Sequence, residues 1–136
     1  MAFARALVLL VDDDPTAHFL QRRYISKVCG PEAEIISVTS GMDAIQLLGQ
    51  RYIDGERIPS HLFLDLQMPN MDGFEFLAAF ERLPEPVRES IRVYVVTSSN
   101  NPDDHERARE FAPVRDIIDK GEVAKRIPEL ELCNGV

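Results

Sequence analysis

The stretch His61-Leu62-Phe63-Leu64-Asp65, followed by Leu66-Gln67-Met68-Pro69-Asn70-Met71-Asp72-Gly73, decides the fold. Its apolar run shows no polar alternation, which is typical of a parallel strand covered on both faces. Turn-forming residues follow Asp65 at once, so this carboxylate is expected at the carboxyl end of the strand. Open parallel sheets bind their ligands at that edge.

A second apolar run, Leu7-Val8-Leu9-Leu10-Val11, ends in the same way, at Asp12-Asp13-Asp14. Asp14 precedes Pro15 and is interpreted as a helix N-cap, which leaves Asp12 and Asp13 as the functional pair. Two acidic strand ends in one small domain predict one pocket with a divalent cation and a nucleophilic aspartate.

Apolar runs and helical periodicities alternate along the whole chain. Strands are predicted over residues 6–11, 34–38, 62–64, 92–96 and 114–118. Helices are predicted from Pro15, after Ser40, after Asp72, over 103–111 and over 122–130. Residues 50–60 are predicted as a polar connection, and 83–86 as the break after the third helix. This order predicts an α/β fold with a doubly wound, five-stranded parallel sheet, right-handed crossovers and five helices.

The chain has 136 residues and a net charge of −8. Its length fits one domain, and its charge argues against sequence-independent nucleic-acid binding, which needs a basic surface. The first apolar run is too short to span a membrane, and no signal-peptide cleavage pattern follows it, so a cytoplasmic protein without membrane insertion is expected.

The cysteines and histidines do not form a metal-binding pattern. Cys29 and Cys133 lie far apart and are expected to be free buried thiols. The three histidines are expected on the surface: His18, His61 and His105.

Polar groups follow four of the predicted strands, at Asp12 and Asp13, at Asp65, at Thr97 and at Lys120. The set D-D, D-x-x-M-P-x-M-D-G, T-S and K, in this order, resembles the receiver domain of two-component response regulators. The resemblance covers essentially the whole chain. It implies a flavodoxin-like sheet with strand order 2-1-3-4-5, the order of the chemotaxis regulator of this family.

The resemblance also implies a role for each matching residue. Asp65 would be the phosphoacceptor that takes a phosphoryl group from a histidine phosphoramidate. Asp13, Asp65 and the Gln67 backbone carbonyl would bind Mg²⁺ directly, and Asp12 would hold metal-bound water. The cation would offset repulsion among the carboxylates and the charge on the phosphoryl oxygens.

Lys120 and the Thr97 hydroxyl would contact the phosphoryl group. Two positions depart from the family pattern. Gly121 stands where many receivers carry proline, which predicts a looser loop. Ile117 stands where the family carries an aromatic residue that takes part in its conformational switch. This replacement predicts that the phosphorylation site is coupled to the partner-binding surface through other contacts.

Only residues 121–136 follow the lysine, too few for an output domain. The chain is therefore expected to be a single receiver domain over 1–136, with a short tail from about 129. A sensor histidine kinase or a histidine phosphotransfer protein would be its phosphodonor, and it would signal by binding another protein rather than act as an enzyme. Two alternatives stay open: a receiver-like interaction module independent of phosphorylation, and a haloacid-dehalogenase-like phosphatase. The second needs an aspartate where Gln67 stands.

Overall fold

The structure is a computed structural model that describes residues 5–68 and 71–134. Its strands are β1 (Leu7–Val11), β2 (Glu34–Val38), β3 (His61–Leu64), β4 (Arg92–Thr97) and β5 (Val114–Asp119). Its helices are α1 (Pro15–Cys29), α2 (Gly41–Asp54), α3 (Gly73–Phe80), α4 (Glu85–Ser90), α5 (Pro102–Arg109) and α6 (Val123–Arg126). All strand pairs are parallel, in the order β2-β1-β3-β4-β5. The predicted fold class and strand order are confirmed.

The sheet separates two apolar layers, because alternate side chains of a strand point to opposite faces. Leu9 and Val11 of β1 pack on one face with Phe76 and Phe80 of α3. The intervening β1 residues pack on the other face with α1 and α6. This second layer includes Val8, Leu10, Ile25, Ile118, Val123 and Ile127. The strands at the centre are thus buried on both sides, as their unbroken apolar pattern indicated.

The strand register brings the carboxyl ends of the strands to one edge. Val11 pairs with Leu64, so Asp12 and Asp65 follow adjacent strands at the same level. Thr97 pairs with Asp119 on the other side of the sheet, one residue before Lys120. The topology alone therefore places the four polar strand ends side by side.

Side-chain caps fix where the helices begin. The Asp14 carboxylate accepts a hydrogen bond from the Thr16 N–H, and Pro15 occupies the first helical position. The Ser40 hydroxyl accepts from the Asp43 N–H at the start of α2. These contacts satisfy backbone donors that have no partner within the helix. They confirm the predicted cap at Asp14 and the predicted helix start after Ser40.

The predicted number of helices was wrong, because α4 begins at Glu85, within the segment taken as a break. Pro86 lies in the first turn of this helix, where a missing N–H breaks no intrahelical bond. The predicted connection over 50–60 is also too long. Helix α2 continues to Asp54 and ends at Gly55, whose φ of 70° suits glycine.

The last helix is shorter than its periodicity suggested. Helix α6 ends at Arg126, and 3₁₀ turns cover Ile127–Leu130 and Leu132–Asn134. Pro128 has no N–H to continue an α-helical ladder, which explains why the α-helix ends before it.

The expectation of free thiols was wrong. Cys29 at the end of α1 and Cys133 in the last turn form a disulfide, with Cα atoms 5.1 Å apart. Both elements lie on the same face of the sheet, which brings together residues 104 positions apart in the sequence.

Two histidines were wrongly assigned to the surface. His61 is fully buried, because it lies on a central strand whose two faces are both covered. His18 is 8% exposed. His105 is half-buried on α5.

Over the ranges 5–68 and 71–134, no helix has the length and apolar composition required to cross a membrane.

Candidate acidic site at the carboxyl edge of the sheet

Asp12 and Asp13 directly follow β1 but differ in exposure. Asp12 is 2% exposed, and its Oδ1 accepts a hydrogen bond from the Asp14 N–H at 2.9 Å. Its Oδ2 is buried without a hydrogen-bond partner among the described residues. Asp13 is exposed to solvent. A buried carboxylate oxygen without a donor is costly, so this pair is suited to an additional positive charge.

Asp65 follows β3, and its carboxylate faces the same cleft. It is 5% exposed, and its Oδ1 accepts from the Gln67 N–H at 3.1 Å. Carboxylate oxygens of Asp12, Asp13 and Asp65 all lie within 4.8 Å of one another. The structure thus brings the three predicted acidic residues together.

Lys120 supplies the cation that contacts these acids. Its Nζ donates a hydrogen bond to Asp65 Oδ2 at 3.3 Å and forms an ion pair with Asp12 Oδ2 at 3.4 Å. The lysine opens a 3₁₀ turn in which the Gly121 N–H donates to Asp119 Oδ1 at 2.8 Å. A proline at position 121 would lack this N–H. The Gly121 N–H therefore supplies one hydrogen bond to the turn, and the looser loop stays a prediction.

Burial and charge both change the pKa values of this pair. Burial raises the pKa of Asp65, as does the charge of Asp12, and these effects exceed the lowering by the Gln67 N–H and Lys120. For Lys120, burial lowers the pKa, but the two carboxylates outweigh it and raise the pKa overall. Both directions follow from placing two acids, Asp12 and Asp65, beside one ammonium group in a partly buried site.

Thr97 ends β4 and is 1% exposed. Its Oγ1 accepts a hydrogen bond from the Ser99 N–H at 3.0 Å. A hydroxyl oxygen that accepts one hydrogen bond still has its own proton to donate. This side chain can therefore serve as a donor at the carboxyl edge.

Gly73 permits α3 to begin against the end of β3. A Cβ at this position would lie 2.6 Å from the Leu66 Cα and 3.0 Å from the Asp65 carbonyl oxygen. Only glycine, which has no Cβ, allows this close approach. Met68 of the same motif is buried in the core, while Pro69 and Asn70 lie outside the described residues.

His18 was missed as a neighbour of the site. From α1, its Nε2 donates to the Asp12 backbone carbonyl at 2.5 Å, which fixes the Nε2–H form of the ring. The signal was available in the sequence, because a residue four positions after the Asp14 cap faces back toward the end of the preceding strand. His18 therefore holds the backbone of Asp12 in place.

The donor set fits a hard divalent cation. The site has three carboxylates but only one ammonium, which contacts two of them, and all the side-chain ligand atoms are oxygens. Mg²⁺ binds oxygen ligands and retains several waters, so it needs few carboxylates. The acidic site formed by Asp12, Asp13 and Asp65 could therefore bind Mg²⁺.

Comparison with known proteins identifies the same family as the sequence motifs. The family model of the response regulator receiver domain matches residues 8–130. The two-component response regulator ORR1 of Oryza sativa subsp. indica is 32% identical over 128 residues, which cover 93% of this chain and 54% of ORR1. The chain thus spans about half the length of this curated relative.

Solved structures of similar proteins share the fold. The two-component response regulator from Cytophaga hutchinsonii matches with a TM-score of 0.76 at 29% identity, over 93% of this chain and 99% of that one. The Mn²⁺-bound form of response regulator Rcp1 matches with a TM-score of 0.70 at 27% identity, over 93% and 91% of the two chains. The family match decides against the dehalogenase-like alternative, since receiver domains serve signalling rather than metabolic catalysis. The chain belongs to the receiver domain family of two-component response regulators.

Proposed function

We propose that this protein accepts a phosphoryl group on Asp65 in a Mg²⁺-dependent reaction. The donor is a sensor histidine kinase or a histidine phosphotransfer protein, and the phosphorylated form signals by binding another protein. The observation that carries the proposal is the contact of Lys120 Nζ with Asp65 at 3.3 Å, inside a cluster of three carboxylates. An ammonium beside a nucleophilic carboxylate provides the charge that an incoming phosphoryl group requires.

The step transfers one phosphoryl group between two side chains. An Asp65 carboxylate oxygen attacks the phosphorus of the donor's phosphohistidine, and the phosphorus–nitrogen bond breaks. The electron pair of that bond goes to the imidazole nitrogen, which takes up a proton from solvent. Asp65 is left as an acyl phosphate, and the donor as a neutral histidine.

Asp13, Asp65 and the Gln67 backbone carbonyl would hold Mg²⁺ directly, and Asp12 would hold it through water. The buried Asp12 Oδ2 accepts no hydrogen bond from the described residues and lies 3.4 Å from the Lys120 ammonium, which supports this assignment. The Mn²⁺-bound form recorded for Rcp1 supports it as well. When bound, the ion neutralises charge on the transferring phosphoryl oxygens.

Lys120 and Thr97 act on the phosphoryl group after transfer. The Lys120 ammonium, which contacts Asp65, exchanges part of this ion pair for the phosphoryl oxygens. The Thr97 hydroxyl donates its free proton to one of them. Both groups stabilise the product electrostatically, and neither takes part in bond making.

The proposed functional unit is a single receiver domain over 1–136, with its tail from about 129. Its net charge of −8 favours protein partners over nucleic acid. Its proposed location is the cytoplasm, where such donors act.

The test is phosphorylation by a small donor. The protein is incubated with Mg²⁺ and acetyl phosphate, and the intact mass is measured for wild type and for Asp65→Asn. We expect one phosphoryl group on wild type and none on the variant, which keeps the shape of the side chain but loses the nucleophilic carboxylate. Equal labelling of both proteins would refute Asp65 as the acceptor.

The phosphorylation-independent module remains a second candidate because of Ile117. This half-buried side chain has no hydroxyl with which to take part in a polar switch. Once a partner is identified, its affinity can be compared with and without Mg²⁺ and beryllofluoride, a phosphoryl mimic. Equal affinities in the two conditions would favour this candidate.

A further inference from the structure

Residues 128–134 form a terminal segment that follows α6 and packs beside α1 in 3₁₀ turns. Two buried side chains, Leu130 and Leu132, attach it to the apolar layer that contains Ile25 of α1. The disulfide from Cys133 to the end of α1 adds a covalent attachment. The terminal segment is therefore held by two leucines and one bond.

Glu131 lies between the two leucines in a left-handed backbone conformation, with a φ of 56° and a ψ of 36°. In the described ranges, 5–68 and 71–134, it is the only residue other than glycine with a positive φ. A Cβ makes this conformation costly, and such strain persists only where the surrounding structure imposes it. The Glu131 side chain is exposed, so it gains no burial in return. Docking of the terminal segment therefore strains the backbone at this residue.

Docking also has a cost at His61, which lies next to the Leu130 backbone. His61 is fully buried, and its Nε2 has no hydrogen-bond partner among the described residues. Burial and, to a smaller extent, Arg92 lower the pKa of His61 to about 4, and the Leu130 backbone offsets part of this shift. A buried polar atom without a partner is unfavourable. The docked segment thus helps to keep water away from a ring nitrogen that lacks a partner.

The two cysteines differ in exposure. Cys133 is an exposed residue, whereas Cys29 is half-buried at the end of α1. A thiolate from solvent can therefore reach the Cys133 sulfur, and exposed disulfides are the ones that exchange readily. In the cytoplasm, the location proposed above, thiols are kept reduced, and the disulfides that do form there are typically transient or redox-sensing. This bond is thus suited to reversible exchange.

We infer that the Cys29–Cys133 disulfide is a reversible redox site that holds the terminal segment against α1 and releases it when a dithiol reduces the bond. With the bond intact, the covalent attachment imposes the docked conformation, including the left-handed Glu131. After reduction, the two leucines alone oppose the strain and the unpartnered ring nitrogen, and the segment undocks. The inference is independent of the proposed phosphorylation, because His61 begins β3 and Asp65 follows its other end.

Reduction transfers two electrons from the dithiol to the disulfide. A thiolate of the dithiol attacks the Cys133 sulfur, the sulfur–sulfur bond breaks, and Cys29 leaves as a thiolate that takes a proton from solvent. The second thiol of the reductant then attacks the mixed disulfide. Its products are the oxidised reductant and the free Cys133 thiol.

A peroxide can reverse the reduction. The Cys133 thiolate attacks hydrogen peroxide, the oxygen–oxygen bond breaks, and one water and a sulfenic acid form. The Cys29 thiolate attacks the sulfenic sulfur and displaces a second water, which restores the disulfide.

The experiment measures the pKa of His61 by NMR in oxidised and reduced protein. Wild type is reduced with dithiothreitol at neutral pH, and its free thiols are counted by mass after alkylation. We expect the pKa of His61 to be about 4 in the oxidised protein and to rise towards 6.5 in the reduced protein, as water reaches the ring. The amide signals over 130–133 should move on reduction, whereas those of Leu9 in β1 should not. Hydrogen peroxide should restore the first state.

Variants at Glu131 separate the strain from the charge. Glu131→Gly and Glu131→Ala remove the same carboxylate, but only glycine adopts a positive φ without strain. In the reduced state, Glu131→Gly should therefore keep the pKa of His61 closer to 4 than Glu131→Ala, which should behave like reduced wild type. Cys133→Ser should match reduced wild type without any reductant, and dithiothreitol should not change it.

The redox site would be overturned by reduced wild type, with both thiols free, in which the pKa of His61 stays at about 4 and the signals over 130–133 do not move. Folded protein in which dithiothreitol fails to cleave the bond would also overturn it, as would reduced protein in which peroxide fails to restore the bond. Equal pKa values in the two reduced Glu131 variants would exclude strain as the cause of release. All measurements are made without Mg²⁺ or a phosphodonor, so they leave the proposed phosphorylation to its own test.

Discussion

The ammonium nitrogen of Lys120 lies 3.3 Å from Asp65 Oδ2, although 55 residues separate the two in the sequence. Strand β4 lies between the strands that carry them, so the long lysine side chain reaches past the end of β4. The same nitrogen lies 3.4 Å from Asp12 Oδ2, at the end of β1. One side chain therefore joins three strand ends and compensates part of their charge.

Replacing this lysine with methionine should destabilise the domain in the absence of metal. Lys120→Met keeps the apolar stem but leaves Asp12 and Asp65 without their cation. We expect a loss of about 2 kcal/mol in the free energy of unfolding, typical of a hydrogen bond to a charged group. The pKa of Asp65 should rise further, since Lys120 lowers it. Urea unfolding and carboxyl ¹³C titration measure the two effects.

Lys125→Met is the matched control. Lys125 pairs with Glu122 at 3.8 Å, and its side chain is 82% exposed. Exposed pairs of this kind contribute little, so the change should be within about 0.5 kcal/mol. Equal destabilisation by the two substitutions would contradict the structural role assigned to Lys120.

Asp13→Asn should change the stability of the domain in opposite directions without and with Mg²⁺. Without metal, the substitution removes one of three carboxylates that lie within 4.8 Å of one another, so stability should rise by about 1 kcal/mol or less. With metal, wild type gains about 1.4 kcal/mol when the Mg²⁺ concentration is tenfold above Kd, and the variant should lose most of this gain. Thermal unfolding with a magnesium titration and with EDTA measures both. A variant that Mg²⁺ stabilises as much as wild type would exclude Asp13 as a ligand.

The fold was predictable because its determinants are local. Unbroken apolar runs mark the central strands, and Asp14 and Ser40 mark helix starts through contacts within three residues. The convergence of Asp65 and Lys120 was also predictable, since parallel strands end at one edge. Their roles in phosphoryl transfer remain proposals.

What the sequence did not predict depends on tertiary contacts. The disulfide joins cysteines 104 residues apart, with no spacing pattern to indicate it. His61 carries a polar side chain on a central strand, and only the covered sheet explains its burial. The bond from Ser99 to Asp104 depends on how the loop turns into α5, which residue types alone do not determine.

Gly73→Ala should destabilise the domain and disturb the site. The new Cβ would meet the backbone of Leu66 at 2.6 Å, where nothing flexible can yield. We expect a loss of about 2 kcal/mol, within the range for overpacking a tight contact. Gly49→Ala is the control, because nothing lies within 4 Å of that Cβ in α2, and alanine there should stabilise by about 0.5–1 kcal/mol. Equal effects in chemical denaturation would contradict the close approach at Gly73.

Breaking the disulfide should lower the free energy of unfolding, because the unfolded chain gains conformational entropy. The bond between Cys29 and Cys133 closes a loop of 104 residues, for which chain entropy predicts a contribution of about 3–5 kcal/mol. Cys133→Ser should lose this amount in urea unfolding, and wild type in dithiothreitol should match it. Dithiothreitol should leave the variant unchanged. Wild type that keeps its stability in reductant, with both thiols shown free by mass, would contradict a stabilising bond.

His61 should make stability depend on pH between about 4 and 6.5. Burial, with a smaller effect of Arg92, lowers the pKa of His61 from 6.5 to about 4 in the folded protein. Within this window the unfolded chain binds a proton that the folded protein does not, so the free energy of unfolding falls as pH decreases. The full effect is about 3 kcal/mol, present above pH 6.5 and lost at about pH 4. His61→Phe keeps an aromatic ring beside Tyr94 but cannot titrate. Its stability should therefore fall less steeply than that of wild type in urea unfolding across this range, whereas parallel curves would show that His61 is not buried as a neutral ring.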